Sequence, residues 1–280
     1  MIKPGLLYIV STPIGNLGDM SARAINVLST VDVIACEDTR HSAPLLKHFG
    51  IHTRLIALHA HNETYKTEQV VEQLIMGANI AIISDAGTPL IHDPGYELVV
   101  LARERGIPVV PVPGACALIA ALSASGLPAD KFCFEGFLPA MSVARKKVLE
   151  DFLYETRTVI FYETPHRIVD SLQDMREVFG GEKQAVMARE LTKIYEDIVS
   201  GSVDELLALT LADEHKQKGE FVVLLRGAAK KHVESVVVND EAVLKTLLAE
   251  LPLKQAVRLA TKITGHNKNH LYDMALLLKG

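Results

Sequence analysis

The chain has 280 residues, of which 49% are hydrophobic and 22% charged, and its formal net charge is −5 at neutral pH. This composition is ordinary for a globular protein and excludes a disordered or fibrous chain. A chain of this length predicts two domains, and its longest weakly polar run, 115–127, is shorter than the roughly 20 residues of a membrane span, so we expect a soluble, cytoplasmic protein with no membrane partner.

Short runs rich in β-branched residues predict five strands in the first half of the chain. They are Leu6–Val10, Val31–Cys36, Leu55–Leu58, Ile80–Ser84 and Ile107–Val112. Segments of helical length separate them, and most of the runs are continuously apolar, as strands buried on both faces of a parallel sheet are. An α/β domain is therefore expected over residues 1–114.

The loop that follows the first strand, in YIVSTPIGNLGD, does not fit the common nucleotide-binding loops. Gly15 and Gly18 are three residues apart and Asp19 follows, whereas a P-loop needs a lysine there. Pro13 stands where a dinucleotide fingerprint has its first glycine, and proline has no N–H to offer a pyrophosphate. The loop therefore predicts a ligand other than a phosphate.

Polar segments come directly after each of the five strands, as STPIGNLGD, EDTRHS, HAHNE, DAGTPLIHDPG and PVPGA. In a parallel sheet these segments meet at the carboxyl edge, where open α/β folds bind ligands. The sequence therefore predicts that its chemistry lies along this edge.

A second α/β domain of different topology is expected over 115–229, after a proline-rich hinge and a helix at 115–125. Its predicted strands are Lys131–Glu135, Thr158–Glu163, Gln184–Ala188, Ile194–Ser200 and Glu220–Leu225. Its predicted helices lie near 142–156, 166–179 and 203–212. The short connection from Glu190 to Ile194 leaves no room for a crossover helix, so antiparallel pairs are expected. A helix at Lys254–Thr264, a break at 265–267 and a second helix from Lys268 predict a helix-turn-helix module over 235–280.

Six sequence blocks, in this order, resemble the tetrapyrrole-methylase superfamily. They are STPIGNLGD, SDAGTPLIHDPG, PVPGACALIAALSASGLP, FYETPHR, RELTKIYED and KGEFVVLL. Within the superfamily they are most similar to the branch of ribosomal RNA small subunit methyltransferases I, and the resemblance covers about residues 5–226. It implies two α/β domains, usually in a homodimer, with S-adenosylmethionine bound in the cleft between them. It also implies methyl transfer to the ribose 2′-oxygen of a cytidine in 16S ribosomal RNA.

Cofactor contacts follow from the loops together with this resemblance. The loop at Asp85, Gly87 and Thr88 offers backbone groups, which can approach a ligand because glycine has no Cβ; a turn or helix-capping role is the alternative for Asp85. The resemblance implies that the rest of the cleft is lined by Pro13, Pro113, Gly114, Ala115, Ala117, Phe137, Tyr162, Glu190, Leu191, Gly219 and Glu220. For the two aromatic residues, ordinary core packing is the alternative.

The candidate catalytic groups are carboxylates and an amine at the sheet edge, because a base can take the proton of an attacking hydroxyl. Glu37 and Asp38 directly follow a buried strand, and charged groups there need a partner or a function. A structural Asp38–Arg40 pair, with Asp38 capping the next helix, is the alternative. Glu63 and Lys193 are further candidates for the base.

Arginine side chains suit the phosphates that flank a target nucleotide, because a guanidinium binds phosphate oxygens in a bidentate manner. Arg23 and Arg40 are the candidates in the first domain, with a merely solvated arginine as the alternative. His59 and His61, which are two residues apart on one strand face, suggest a metal site, but no third and fourth ligand with clear spacing accompanies them. We therefore predict that they line the substrate edge and that no metal is bound.

Residues 230–280 hold eight Lys/Arg and five Asp/Glu, so this segment is basic in an otherwise acidic chain. Lys254, Arg258 and Lys262 recur at helical spacing, with Lys268 after them, while Val257, Leu259, Ala260 and Ile263 can face a core. A basic helix face predicts RNA docking, and a solvated face on a packing helix is the alternative.

Two other functions stay open at this stage. One is carbon methylation of a tetrapyrrole, which would need a cavity for a polycarboxylate macrocycle. The other is a non-enzymatic RNA-binding or ribosome-assembly factor that keeps a cofactor cleft. The sequence does not decide whether free ribosomal RNA or the assembled small subunit would be the partner.

Overall fold

The computed structural model describes residues 3–59, 63–229 and 240–279. It divides into two compact units, Met1–Ala228 and Ala229–Gly280. The first sheet is entirely parallel, with strand order β3-β2-β4-β1-β5. Its strands are β1 (Leu7–Val10), β2 (Val33–Cys36), β3 (Arg54–Ala57), β4 (Ile80–Ile83) and β5 (Val109–Val112).

Helices cover both faces of this sheet, which explains why its strands are apolar on both sides. The helices of the first half are α1 (Ala22–Thr30), α2 (Thr39–His48), α3 (Glu63–Ile75), α4 (Tyr96–Glu104) and α5 (Ala117–Ala124). Leu28 and Leu46 from α1 and α2 pack on one face. Leu74 and Leu98 from α3 and α4 pack on the other.

The second sheet is mixed, with strand order β6-β7-β10-β8-β9. Its elements are β6 (Phe132–Phe137), α6 (Ser142–Glu150), β7 (Thr158–Glu163), α7 (Ile168–Phe179), β8 (Gln184–Arg189), β9 (Asp197–Ser202), α8 (Val203–Ala212) and β10 (Phe221–Leu225). Helix α5 follows β5 in the chain, yet its buried side chains Leu118 and Leu122 pack on the second sheet. The segment that leads into α5 therefore crosses from one sheet to the other.

The second unit contains α9 (Asp240–Glu250), α10 (Leu253–Thr264) and α11 (Lys268–Lys279). Leu244, Val257, Ala260, Leu271 and Ala275 form its small core. Helix α10 ends at Gly265, whose φ of +68° is the left-handed conformation that terminates many helices.

The predicted fold class is confirmed, including the antiparallel pairing of β8 with β9 and the helix-turn-helix pattern. Some boundaries differ. The helix predicted near 142–156 ends at Glu150, and the strand predicted from Ile194 begins at Asp197. Helix α9 was not predicted at all.

The apolar face predicted for α10 is partly wrong. Val257 and Ala260 are buried, but Leu259 and Ile263 are 36% and 57% exposed. They lie beside the basic row of α10, which consists of Lys254, Arg258 and Lys262. This side of the helix does not pack into the core of the three-helix unit. In the described part of the chain, no helix is long and apolar enough to cross a membrane.

Candidate functional site

The loop after β1 holds the loop after β4 in place. The backbone N–H of Thr12 donates to the carbonyl of Gly87 at 2.8 Å, and the N–H of Gly87 donates back at 3.1 Å. Gly87 has a φ of +86°, and a Cβ there would lie 3.2 Å from the side chain of Ile14. The glycine therefore allows the two loops to approach closely.

A second link joins these loops to the segment after β5. The hydroxyls of Ser11 and Thr88 lie 3.0 Å apart, and the Thr88 hydroxyl donates to the carbonyl of Ala115 at 3.0 Å. A Cβ on Gly114 would lie 2.8 Å from the Cβ of Ser11. Three loops from the carboxyl edge of the first sheet thus form one hydrogen-bonded wall.

Aromatic side chains of the second sheet form the facing wall. The Tyr162 hydroxyl accepts a hydrogen bond from the N–H of Leu118 at 3.2 Å, which satisfies a free N–H in the first turn of α5. Burial is the main cause that raises the pKa of Tyr162 to about 12. Its ring packs edge-on against Phe134 and Phe137, with centroids 4.7 and 5.6 Å apart.

Between the two walls lies a cavity of about 560 Å³. This volume is within the range of roughly 300–1,000 Å³ that is typical of small-molecule sites. The structure brings eight of the predicted cofactor residues to its wall: Asp85, Gly87, Thr88, Ala117, Phe137, Tyr162, Leu191 and Glu220.

The other predicted cofactor residues lie behind or beside the wall. Pro13 is buried in the loop after β1, and Pro113 and Gly114 are exposed after β5. Gly219 has a φ of +101°, and a Cβ there would lie 2.5 Å from the side chain of Glu190. Glu190 in turn accepts from the N–H of Glu220 at 3.0 Å, so this pair supports a wall residue.

Lys193 is held between two carboxylates. Its Nζ lies 2.8 Å from Glu190 and 3.0 Å from Glu220. Burial alone would lower the pKa of Lys193, but the hydrogen bonds to both carboxylates outweigh it and raise that pKa. Glu190 and Thr192 adopt left-handed φ values of 51° and 66°, which are rare for residues other than glycine.

The acidic segment after β2 lies beside the loop after β4. The backbone N–H of Asp38 donates to Asp85 at 3.3 Å, and His41 contacts Asp85 at 3.3 Å. Burial is the main cause that raises the pKa of Glu37, and the nearby Asp85 carboxylate adds to it.

Asp38 makes the pair with Arg40 that the sequence left open as the alternative. The Arg40 guanidinium binds it through Nε and Nη2, the latter at 2.7 Å, and the Asp38 side chain caps α2. Hydrogen bonds from Arg40 hold the pKa of Asp38 at about 2. Arg40 nevertheless keeps an 89% exposed side chain, and Arg23 on α1 is also exposed.

The remaining predicted residues are distributed as follows. Lys254, Arg258, Lys262 and Lys268 are all exposed on the second unit. Glu63 begins α3, but its side chain and the whole of His61 lie outside the described residues. Within the described ranges, no group of three or more His, Cys, Asp or Glu side chains could hold a metal ion.

Several wall residues were missed individually although they lie inside the quoted sequence blocks. They are Ile14, Ala86, Ile91, His92, Asp93, Glu163, Thr164, Pro165, His166, Phe221 and Val222. The blocks SDAGTPLIHDPG and FYETPHR contained the signal, because each supplies several adjacent wall residues. Asp93 is the notable omission, since burial raises its pKa to about 6.

Family models match nearly the whole chain. Residues 6–207 match the tetrapyrrole (corrin/porphyrin) methylases, and residues 237–279 match the RsmI C-terminal HTH domain. The chain is 54% identical to ribosomal RNA small subunit methyltransferase I of Escherichia coli O157:H7, over 99% of this chain and 96% of that one. It is also 54% identical to the enzyme of the same name from Pseudomonas aeruginosa, over 100% and 99% of the two chains.

The chain belongs to the tetrapyrrole methylase family, in its branch of ribosomal RNA small subunit methyltransferases I. Solved structures of more distant proteins share the fold. They include a uroporphyrin-III-C-methyltransferase from Thermus thermophilus (TM-score 0.54, 20% identity, 79% of this chain and 94% of that one) and diphthine synthase (TM-score 0.59, 13% identity, 79% and 90%).

A tetrapyrrole methylase of this branch is a methyltransferase that uses S-adenosylmethionine, and the cavity fits that cofactor. Its described wall includes the carboxylates Asp85 and Asp93, and no lysine or arginine. Two further wall carboxylates, Glu163 and Glu220, are paired with Arg167 and Lys193 outside the wall. Such a wall disfavours a phosphate and suits a ligand with a sulfonium and an ammonium group. The rings of Phe137 and Tyr162 offer faces for the adenine or the cation.

Proposed function

We propose that the protein transfers the methyl group of S-adenosylmethionine to the ribose 2′-hydroxyl of a cytidine in small-subunit ribosomal RNA. The observation that supports this most strongly is the identity of 54%, over almost the full length, to two enzymes named ribosomal RNA small subunit methyltransferase I. Such an enzyme acts where ribosomes are assembled, so we also propose a cytoplasmic location. The partner is ribosomal RNA, either free or in the assembled small subunit.

Three segments are proposed to hold the cofactor. The loop from Asp85 to Thr88 offers backbone groups and a carboxylate, the start of α5 at Ala117 lies opposite it, and Phe137 and Tyr162 close the apolar side. Pro13, Pro113, Gly114, Ala115, Glu190 and Gly219 support these segments from behind. When bound, the cofactor supplies an activated methyl group on a sulfonium.

The protein's own contribution is orientation and proton removal. Holding a hydroxyl in line with the methyl group can lower a barrier by about 7–11 kcal/mol in well-oriented cases. Carboxylates of the acidic edge, which begins at Glu37 and includes Asp85, stand next to the cavity and can accept the hydroxyl proton. Arg23 and Arg40 are exposed cations on the same domain, which suits flanking phosphates.

The second unit is proposed to dock RNA. Lys254, Arg258 and Lys262 lie at helical spacing on α10, and all three are exposed. The protein as a whole is acidic, so it needs a local basic surface to attract a polyanion.

We further propose a homodimer and a domain division at 1–114, 115–229 and 235–280. The packing of α5 on the second sheet supports a boundary near residue 115. Sedimentation of the full chain at micromolar concentration tests the dimer.

The test of function is transfer of a labelled methyl group to purified small subunits and to extracted ribosomal RNA, with nuclease mapping of the modified nucleoside. We expect label on a 2′-O-methylcytidine. Label on a base, or no label on either RNA substrate, would refute the proposal. Tetrapyrrole precursors serve as the comparison, and we expect no transfer to them, because the described cavity wall has no lysine or arginine to bind their carboxylates.

A further inference from the structure

Asp93 stands out among the acidic residues of the site because of where its loop holds it. It lies in the cavity wall, between His92 and Pro94-Gly95. His92 has a φ of +73° and Gly95 a φ of +120°, so the chain turns sharply on both sides of Asp93. Residues held in such conformations cluster at functional sites, where the surrounding structure must maintain them.

The other candidate bases are less suited to accept a proton at the cavity. Asp38 is tied to Arg40, which holds its pKa at about 2. Lys193 sits between two carboxylates that keep it protonated. Glu37 begins the acidic edge but does not form part of the cavity wall.

The surroundings of Asp93 bring its ionisation near neutral pH. Burial is the main cause that raises its pKa to about 6, a hydrogen bond with the Ser84 hydroxyl opposes that rise, and the carboxylates of Glu37 and Asp85 add to it. Tyr162, on the second sheet, lines the same cavity, and its pKa is raised mainly by burial and to a smaller extent by the Asp93 carboxylate. A base works best when its pKa is close to the working pH.

We propose that Asp93 is the proton acceptor for the attacking hydroxyl, an inference that rests on the proposed ribose methylation. As the ribose oxygen forms its bond to the methyl carbon, the bond from that carbon to sulfur breaks and its electron pair stays on sulfur. The hydroxyl proton passes to a carboxylate oxygen of Asp93. The products are a methyl ether, a neutral thioether and a protonated carboxyl group.

Two amide variants separate Asp93 from its neighbour Glu37. Asp93→Asn should lower kcat at saturating cofactor by about 10²-fold or more and should abolish the rise in activity through about pH 6. Glu37→Gln tests the neighbouring candidate base. If Glu37 only adds negative charge near Asp93, its loss should move the acidic limb to lower pH and lower the plateau turnover much less than Asp93→Asn does. If Glu37→Gln lost turnover and Asp93→Asn kept it, or if both variants lost turnover equally, the assignment to Asp93 would be wrong.

A second readout does not depend on activity. Carbon NMR of the protein labelled at aspartate carboxyl groups should show one resonance that titrates near pH 6 and is missing in Asp93→Asn. Calorimetry should show that this variant still binds S-adenosylmethionine. If the wild type binds cofactor but methylates no RNA, the proposed function has failed; if the wild type is active and Asp93→Asn equally so, only this inference has failed.

Discussion

The N–H of Phe137 donates a hydrogen bond to Nε2 of His92 at 3.4 Å, and this bond joins the loop after β4 to the last residue of β6. The two rings also pack edge-on, with centroids 5.2 Å apart. Gly136, with a φ of +69°, leaves space for the imidazole, because a Cβ there would overlap Nε2 of His92. The contact therefore links the two walls of the cofactor cavity.

Gly136→Ala should disrupt this link. We expect the affinity for S-adenosylmethionine to fall by roughly tenfold or more, because His92 and Phe137 must both shift and both line the cavity. The matched control is Gly126→Ala: Gly126 has a φ of +70°, but no atom lies within 4 Å of its added Cβ. Both variants carry a backbone strain of about 1–2 kcal/mol, so calorimetry that finds the same affinity in both would show that the His92 contact is unimportant for binding.

Gly87→Val tests the position of the cofactor directly. The added side chain would enter the space between Ile14 and Ala115, and the φ of +86° adds strain. We expect S-adenosylmethionine binding to be lost in calorimetry. Gly50→Val, at a φ of +69° in open space, controls for the strain. Normal affinity in Gly87→Val would mean that the cofactor lies elsewhere.

Much of this site was predictable because strand ends and loops have strong local signals. The apolar runs predicted all five strands of the first sheet to within about two residues, and the polar segments after β1, β4 and β5 form one wall of the cavity. His92 and Asp93 were missed for a physical reason. The orientation of their side chains depends on left-handed backbone conformations at Leu90 and His92. Sequence patterns do not indicate such conformations at residues other than glycine.

The second unit shows a different limit of prediction from sequence. The spacing of α10 identified its basic row, yet Leu259 and Ile263 are exposed. An apolar residue on one side of a helix indicates a possible contact, but only the neighbouring helices decide how wide the buried stripe is. Asp38 and Arg40 show a third limit, since sequence alone left open whether they form a pair or a functional site.

Asp93→Asn should stabilise the protein at alkaline pH. The pKa of Asp93 is raised from 3.8 to about 6, so its ionisation in the folded state is unfavourable above that pH. We expect a gain in unfolding free energy of about 1 kcal/mol at pH 8, after allowance for the solvent exposure of the group. The gain should shrink as the pH falls from 6 to 4, where the carboxyl becomes protonated in both states. Urea unfolding at the two pH values measures it, and an equal gain at both would contradict the raised pKa.

Lys193 variants test whether this amine positions the site or acts as a base. Lys193→Arg keeps a positive charge between Glu190 and Glu220 but cannot accept a proton. We expect it to retain most of the turnover, whereas Lys193→Met should lose more than tenfold because two carboxylates are left without their cation. If Lys193→Arg were as inactive as Lys193→Met, Lys193 would be the base.

The basic row of α10 should carry part of the attraction to RNA. Replacing Lys254, Arg258 and Lys262 together with glutamine removes three exposed charges and leaves the core of the unit, formed around Val257 and Leu271, unchanged. Each lost phosphate contact should reduce the slope of log affinity against log salt by about 0.7–0.9. We therefore expect a slope flatter by about two to three units and weaker binding at low salt.

The matched control removes three cations from the first unit, as Lys47→Gln, Arg103→Gln and Arg105→Gln, all of which are exposed. Both triple variants have the same net charge, so a difference in slope reports location rather than total charge. Filter binding of extracted ribosomal RNA over a range of salt concentrations measures the slopes, and deletion from about residue 235 onward should behave like the α10 variant while keeping cofactor binding. Equal slopes in the two triple variants would assign the attraction to overall charge, and α10 would then be a packing helix with a solvated face.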